Sequence, residues 1–268
     1  MEKLMNEIGL DEGLRNKVIS LYSKDKNRID NLCKKCRYKG FSALIKENDL
    51  TRLCVCIKYA VSYTKQRYSE IGISDEIFTD TMQDINIWCK NNDNKGLKNY
   101  AWIQNHLKCE LFRIGRLQYQ LFVCNNTTYD YDMLPFEKGD NTIFVHIPQG
   151  EKLEYAKCIE SLKNAKAFFE KFFKNYEYRF FICESWLLFE DNWLFMKPSC
   201  NILQFQSLFD IVMSVPIGSQ AIERIFGKRR LIKKSYPENT SLQRSAKQFI
   251  MSGGKLGVGL GIIDKYEV

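Results

Sequence analysis

The sequence predicts an α+β protein: a helical N-terminal domain over residues 1–95, followed over residues 96–268 by a domain built on a mixed sheet with helices. Three observations predict it. Apolar residues recur at helical spacing through the first ninety positions, with no proline before Pro135. A polar, glycine-ended run, Asn91-Asn92-Asp93-Asn94-Lys95-Gly96, then marks a turn and a candidate boundary. After residue 112 the patterns alternate as strand, loop, helix, strand, helix, strand, the order expected of a mixed α/β domain.

In the N-terminal part, Leu14, Val18, Ile19 and Leu21 share one helical spacing. Leu53, Ile57 and Ala60 share a second, and Ile77, Met82, Ile85 and Trp88 a third. Polar breaks near 24–30 and 69–74 separate them. Beyond the turn, 97–111 reads as a further helix. FRIGRLQYQLFV, from Phe112, alternates as one half-buried strand, and TIFVHIP reads as a short strand stopped by Pro148. The stretch 153–173 places Ala156, Ile159, Leu162, Ala165, Phe169 and Phe172 on one helical face. YRFFICES reads as the next strand, Asn201 as the cap of a helix reaching Phe209, and MSVPI as a further strand. A helix over about 240–251 precedes the glycine-rich GGKLGVGLGII.

Composition narrows the function classes. The chain has 268 residues, 45% hydrophobic and 13% aromatic, enough for a sizeable core. No apolar run reaches the length of a membrane span, and the N-terminus has no secretory pattern, so the expectation is a cytoplasmic protein without membrane association. The ten cysteines are then expected as free thiols. Cys33-Lys34-Lys35-Cys36 and Cys54-Val55-Cys56 suggest zinc by spacing. The second pair lies in LCVCIKYA, which reads as buried helix, so no metal is expected. Neither a phosphate loop nor a nucleophile elbow is present in the sequence.

The net charge is +8. Lys228, Arg229, Arg230, Lys233, Lys234, Arg244 and Lys247 stand against the one acid Glu238, a cluster able to hold phosphates or to form a solvated face.

Five segments, 96–120, HIPQGEKL (146–153), CESWLL (183–188), 199–209 and 239–261, resemble in their order a family of bacterial acyltransferase-like proteins with a helical N-terminal domain and a GNAT-like C-terminal domain. The resemblance covers roughly the last 170 residues well. It implies acyl-CoA as co-substrate and a small-molecule or peptide amine as acceptor. It places the donor beside the His146 strand, with the backbone at Ile147, Gly150 at the helix entrance, and Lys228, Arg229 and Arg230 as cofactor-binding candidates. Catalytic candidates are Glu184 and His146 as proton acceptors, and Ser185 and Cys183 as donors to a departing thiolate; alternation lets only one or two of residues 183–185 face one cleft. Cys183 is also conceivable as a nucleophile. Arg113, Arg116 and Trp186 are substrate-binding candidates. The alternative reading is a non-catalytic GNAT-like binding module whose basic C-terminal patch takes nucleic acid or another phosphate-bearing ligand.

Alkylation of the denatured, unreduced protein is expected to modify all ten thiols by mass spectrometry. Intact intramolecular disulfides in fresh protein would refute the reducing compartment.

Overall fold

The structure is a computed structural model that describes residues 1–127 and 129–268. Its contacts divide it into two compact units. The first is Met1–Ile114 with Gln118–Gln120 and Ile147–Gln149; the second is Gly115–Leu117, Leu121–His146 and Gly150–Val268.

Helices make up most of the first unit: α1 (Glu2–Glu7), α2 (Glu12–Lys24), α3 (Lys26–Lys39), α4 (Asp49–Tyr59), α5 (Lys65–Ile71), α6 (Asp75–Lys90) and α7 (Tyr100–Leu107). Three of them, α2, α4 and α6, start at a side-chain cap. The Leu14 N–H donates to Asp11 Oδ1 (2.9 Å), Thr51 N–H to Asn48 Oδ1 (2.9 Å) and Ile77 N–H to Ser74 Oγ (3.4 Å). Gly72, at φ 87°, ends α5 in the left-handed conformation. A π-helical stretch, Ala60–Thr64, joins α4 to α5 without a break. The polar run 91–96 is a turn, with Asp93 and Asn94 at φ 53°. Gly96 is required there, because a Cβ would lie 2.4 Å from the backbone of Asp49. The helix expected over 97–111 is confined to α7.

A buried polar network organises this unit. Asp84 is 3% exposed and His106 is fully buried. Asp84 Oδ2 lies 3.2 Å from His106 Nε2 and accepts hydrogen bonds from Trp102 Nε1 (2.7 Å) and Trp88 Nε1 (3.3 Å). Its Oδ1 accepts from Gln118 Nε2 (2.8 Å). Burial alone would raise the Asp84 carboxyl, but the His106, Trp102 and Gln118 contacts outweigh it and hold the group below the usual carboxylate range.

The region read as one strand from Phe112 is two, β1 (Leu111–Ile114) and β2 (Leu117–Val123). Gly115, at φ 64°, makes the reversal between them, and glycine at the first central position suits a two-residue hairpin turn. There follow β3 (Asn141–His146), α8 (Tyr155–Phe172), β4 (Phe180–Ser185), α9 (Asn201–Gln206), β5 (Asp210–Val215), α10 (Ser219–Phe226), α11 (Ser241–Met251) and β6 (Val258–Asp264). The six strands form one sheet in the order β1-β2-β3-β4-β6-β5. β3 and β4 are parallel, with α8 as their crossover, while β6 is antiparallel to both β4 and β5. Thr240 and Gln243 start α11 with reciprocal capping bonds.

Two expectations shift. In α8, Leu162, Ala165 and Phe169 are buried as read, but Cys158, Ser161 and Phe168 join them while Ala156 is exposed. The pattern of the glycine-rich C-terminal run predicts no strand, yet the run forms β6 at the centre of the antiparallel part of the sheet. A Cβ at Gly259 would sit 2.0 Å from the Leu188 carbonyl oxygen, and one at Gly261 would sit 2.7 Å from Phe209 Cβ. The glycines are there for close packing.

Replacement of Asp84 by Asn is expected to cost about 3 kcal/mol of stability, because it breaks a buried, charge-assisted network. The folded pKa is depressed, so the wild-type contribution is present above the unfolded Asp value, about 3.9, and is lost as pH falls through the folded value. Urea unfolding at pH 7 and along the acid limb checks both parts; equal midpoints for the two proteins at pH 7 would refute the role.

Candidate active site at the ends of β3 and β4

β3 and β4 are in register at Ile143↔Phe181 and Phe144↔Ile182. β4 continues three residues beyond its last register pair with β3, through Cys183, Glu184 and Ser185. On its other edge these stay paired with Gly261, Leu260 and Gly259 of β6. The far end of β4 is therefore held from one side.

Side-chain alternation divides the candidates between two faces. Phe180 and Ile182 pack with Leu260 and Ile262 on one face, beneath Cys124, Tyr129 and Phe136 of the 124–140 loop. The Cys124 N–H donates to the Asp140 carbonyl (2.9 Å) and the Gly139 N–H to the Cys124 carbonyl (2.8 Å), which closes the base of that loop. Glu184, two residues after Ile182, points to the same face, and its Oε2 accepts a 2.5 Å hydrogen bond from the Tyr129 hydroxyl. Phe144 packs against this cluster, and His146 stacks on Phe144 with ring centroids 4.6 Å apart and planes at 22°. Register and alternation thus bring His146, Glu184 and Tyr129 to one face of the sheet.

Cys183 and Ser185 take the other face. Cys183 is 1% exposed, and burial, helped by the Glu184 charge, pushes its thiol far up. The Ser185 hydroxyl accepts from the Leu187 N–H (3.2 Å) and caps the turn that follows β4. Trp186 is half-buried; its N–H donates to Gln220 Oε1 (2.7 Å), and its ring packs on the cluster of α10 and α11.

The other candidates are spread more widely. Arg113 is 7% exposed in the first unit, and its backbone N–H donates to Thr81 Oγ1 (3.0 Å). Arg116 is 5% exposed; its guanidinium donates to the carbonyls of Lys152 (3.0 Å) and Glu151 (2.8 Å), which fixes the approach to α8. Ile147 belongs to the first unit. Gly150 has φ 120°, and a Cβ there would meet open space. Among the described residues no side chain caps α8, so its first amides are not taken up by a capping oxygen. Lys228, Arg229 and Arg230 stand on the loop after α10.

Sequence reasoning missed Tyr129, which lies within a polar loop whose path nothing local determines. The surrounding Tyr, Phe and Cys residues, too apolar for a purely solvated loop, were the available signal. The ten cysteines are free, and among the described residues no group of His, Cys, Asp and Glu is arranged to hold a metal ion.

The combination of a helical unit and a mixed sheet with one parallel pair joined by a crossover helix is that of a GNAT-like protein. A family model described as GNAT-like C-terminal domain matches residues 111–263, and one described as N-acyltransferase N-terminal domain matches residues 1–109. The chain belongs to the family of the GNAT-like C-terminal domain. No curated protein sequence matches it. Among solved structures it resembles an acyltransferase in complex with decanoyl-CoA, at TM-score 0.78 and 17% identity, over 98% of this chain and 86% of that one. It also resembles an acyltransferase in complex with decanoyl-CoA and teicoplanin, at TM-score 0.76 and 18% identity, with the same coverage. At these identities the likeness is one of fold.

Tyr129 is expected to hold the Glu184 carboxylate in one orientation. Burial and then the hydrogen bond to Glu184 push its phenol up, so it remains a donor across the neutral range. Tyr129→Phe should lower kcat for acyl transfer about tenfold, roughly 1.4 kcal/mol, with KM for the acyl donor little changed. Steady-state kinetics at saturating acceptor checks this; an unchanged kcat would remove Tyr129 from the site.

Proposed function

We propose that the protein is an N-acyltransferase that moves an acyl group from an acyl-CoA to an amine, or a comparable nucleophile, on a small-molecule or peptide acceptor. The observation that carries this reading is the end of β4, which runs past its register with β3 and presents Glu184 beside the His146 face. A thioester arm laid along a strand end can pair with its backbone groups as an added strand would. The uncapped α8 amides and open Gly150 suit the pyrophosphate, since a helix N-terminus favours anions. Family membership supports the reaction class, and fold neighbours bound to decanoyl-CoA support the donor class.

In this mechanism the acceptor nitrogen attacks the thioester carbonyl carbon while the Glu184 carboxylate takes the nitrogen's proton. A C–N bond forms, the C–S bond breaks, and the CoA thiolate leaves and is protonated by Glu184 or solvent. His146, on the same face, can accept the proton directly or through water. Tyr129 steadies Glu184. Burial keeps Cys183 a thiol, which argues against a cysteine-bound intermediate and for direct transfer. Strand backbone at the end of β3 would polarise the carbonyl, an effect of the oxyanion-hole kind.

Calorimetric titration with decanoyl-CoA, and chromatographic detection of free CoA across an acceptor panel that includes teicoplanin, tests the reading. Binding of decanoyl-CoA and acceptor-dependent CoA release are expected. Glu184→Gln should reduce turnover about a hundredfold while donor affinity stays within about twofold. Absence of donor binding would overturn the reading; unchanged turnover in the variant would remove Glu184 as base.

A further inference from the structure

The chain between α10 and α11 forms a loop pinned at both ends. Gly227, at φ 80°, ends α10 in a conformation that favours glycine. Phe226, the last residue of α10, stacks on Tyr236 with ring centroids 4.3 Å apart and planes at 27°, and both rings are buried. The Arg230 N–H donates to the Tyr236 hydroxyl (3.3 Å), and a 3-10 turn at Lys233–Ser235 closes the return.

The tip of this loop is unusual in what it exposes. Leu231 is 102% exposed and Ile232 is 68% exposed, adjacent aliphatic side chains without a covering neighbour. Lys228, Arg229 and Arg230 precede them and Lys233 and Lys234 follow, with no acid from Lys228 to Ser235. Among the described residues none of these five cations is in an ion pair. Glu238 is already engaged by Lys247 at 2.9 Å. The loop is thus a basic collar around an aliphatic tip.

We infer that this loop docks the protein on an anionic lipid surface, with Leu231 and Ile232 entering the acyl boundary and the flanking Lys and Arg side chains meeting lipid phosphates. Each half of the arrangement needs the other. Cations alone would fit any polyanion, whereas two aliphatics on a pinned loop gain nothing from a phosphate backbone. A surface for single-stranded nucleic acid would expose aromatic rings for bases, and the loop's one aromatic, Tyr236, is buried against Phe226. Basic residues bordering an apolar edge match the field and layering of an anionic leaflet. Among the described residues no helix is long and apolar enough to cross a membrane, so the contact is peripheral. This differs from the sequence expectation, which gave Lys228, Arg229 and Arg230 to cofactor phosphates and expected no membrane association. Exposure of Leu231 and Ile232 is the new observation.

The test is co-sedimentation with vesicles of phosphatidylcholine containing about 30% phosphatidylserine, beside pure phosphatidylcholine vesicles, at physiological salt. Binding to the anionic vesicles alone is expected, with a drop of about tenfold or more in the Leu231→Ser/Ile232→Ser double variant. That variant changes only exposed side chains, so its melting temperature and decanoyl-CoA titration should match the wild type. Failure to bind anionic vesicles, or undiminished binding by the variant, overturns the inference. So does a twenty-nucleotide strand bound more tightly than the vesicles, or a loss of decanoyl-CoA binding in the variant, which would assign the loop to nucleic acid or to the acyl donor.

Discussion

Strand β6 carries glycine where any side chain would strike the turn that follows β4, and this close approach sets the architecture of the second unit. With Gly259 against the Leu188 carbonyl and Gly261 against Phe209, the chain leaving β4 can fold directly back over the sheet. The carbonyls exposed by that reversal have partners. Asn192 Nδ2 donates to Trp186 O (2.9 Å) and Leu187 O (3.2 Å), and Gln206 Nε2 donates to Phe189 O (2.8 Å). β4 is consequently fixed on its β6 edge right to Ser185, even though its pairing with β3 ends earlier. A strand end can be released on one edge only if the other is held. In β6 a valine in place of Gly259 would damage the β4 terminus, and with it the placement of Glu184, more than it would damage the local strand.

The two faces of β4 then take different chemistry from the same six residues. One face, Phe181, Cys183 and Ser185, is consumed by packing and capping, and its polar atoms serve the backbone. The other begins apolar at Phe180 and Ile182 and finishes with a carboxylate bonded to a phenol. Tyr129 reaches that carboxylate from the loop that also covers the apolar part, so the cover of the core and the orientation of Glu184 are one structural element. Disturbance of the loop base at Cys124 and Asp140 would act on both.

Much of the fold was legible in the sequence, for physical reasons that also mark where legibility ended. The helices of the first unit follow from apolar period and from Asp11, Asn48 and Ser74, whose side chains are local caps. β3 and β4 follow from short β-branched and aromatic runs. β6 was not legible because glycine weakens a strand locally, and its value there comes from Leu188 and Phe209, which are distant in sequence. The β1–β2 reversal shows in the sequence only as a change of phase, with apolar residues at 112 and 114 before Gly115 and at 117 and 119 after it, and the positive φ of Gly115 turns that shift into a hairpin. Among candidate site residues, Glu184 and His146 were brought together by the family resemblance alone, because the parallel register of β3 and β4 is set by α8 and the sheet and has no local sequence signature. Arg116 could not be placed, since the Glu151 and Lys152 carbonyls it donates to lie in a loop with no side-chain signature.

Asp84 and His106 show a further limit. As sequence, His106 is a histidine in a helical pattern and Asp84 an acid in an apolar one, and neither is remarkable alone. Buried together they require donors for two carboxylate oxygens, which Trp88, Trp102 and Gln118 supply from three separate segments. A buried carboxylate gives up much of its favourable energy to desolvation, so the net stabilisation by such a network is modest while removal of one partner is costly. Such a network selects the one arrangement of α6, α7 and β2 in which every donor arrives, whereas an apolar cluster of equal volume would tolerate several. In the first unit, then, polar geometry restricts the packing that helical period alone would leave open, and in the second unit glycine does the corresponding work by admitting only one path for the chain over the sheet.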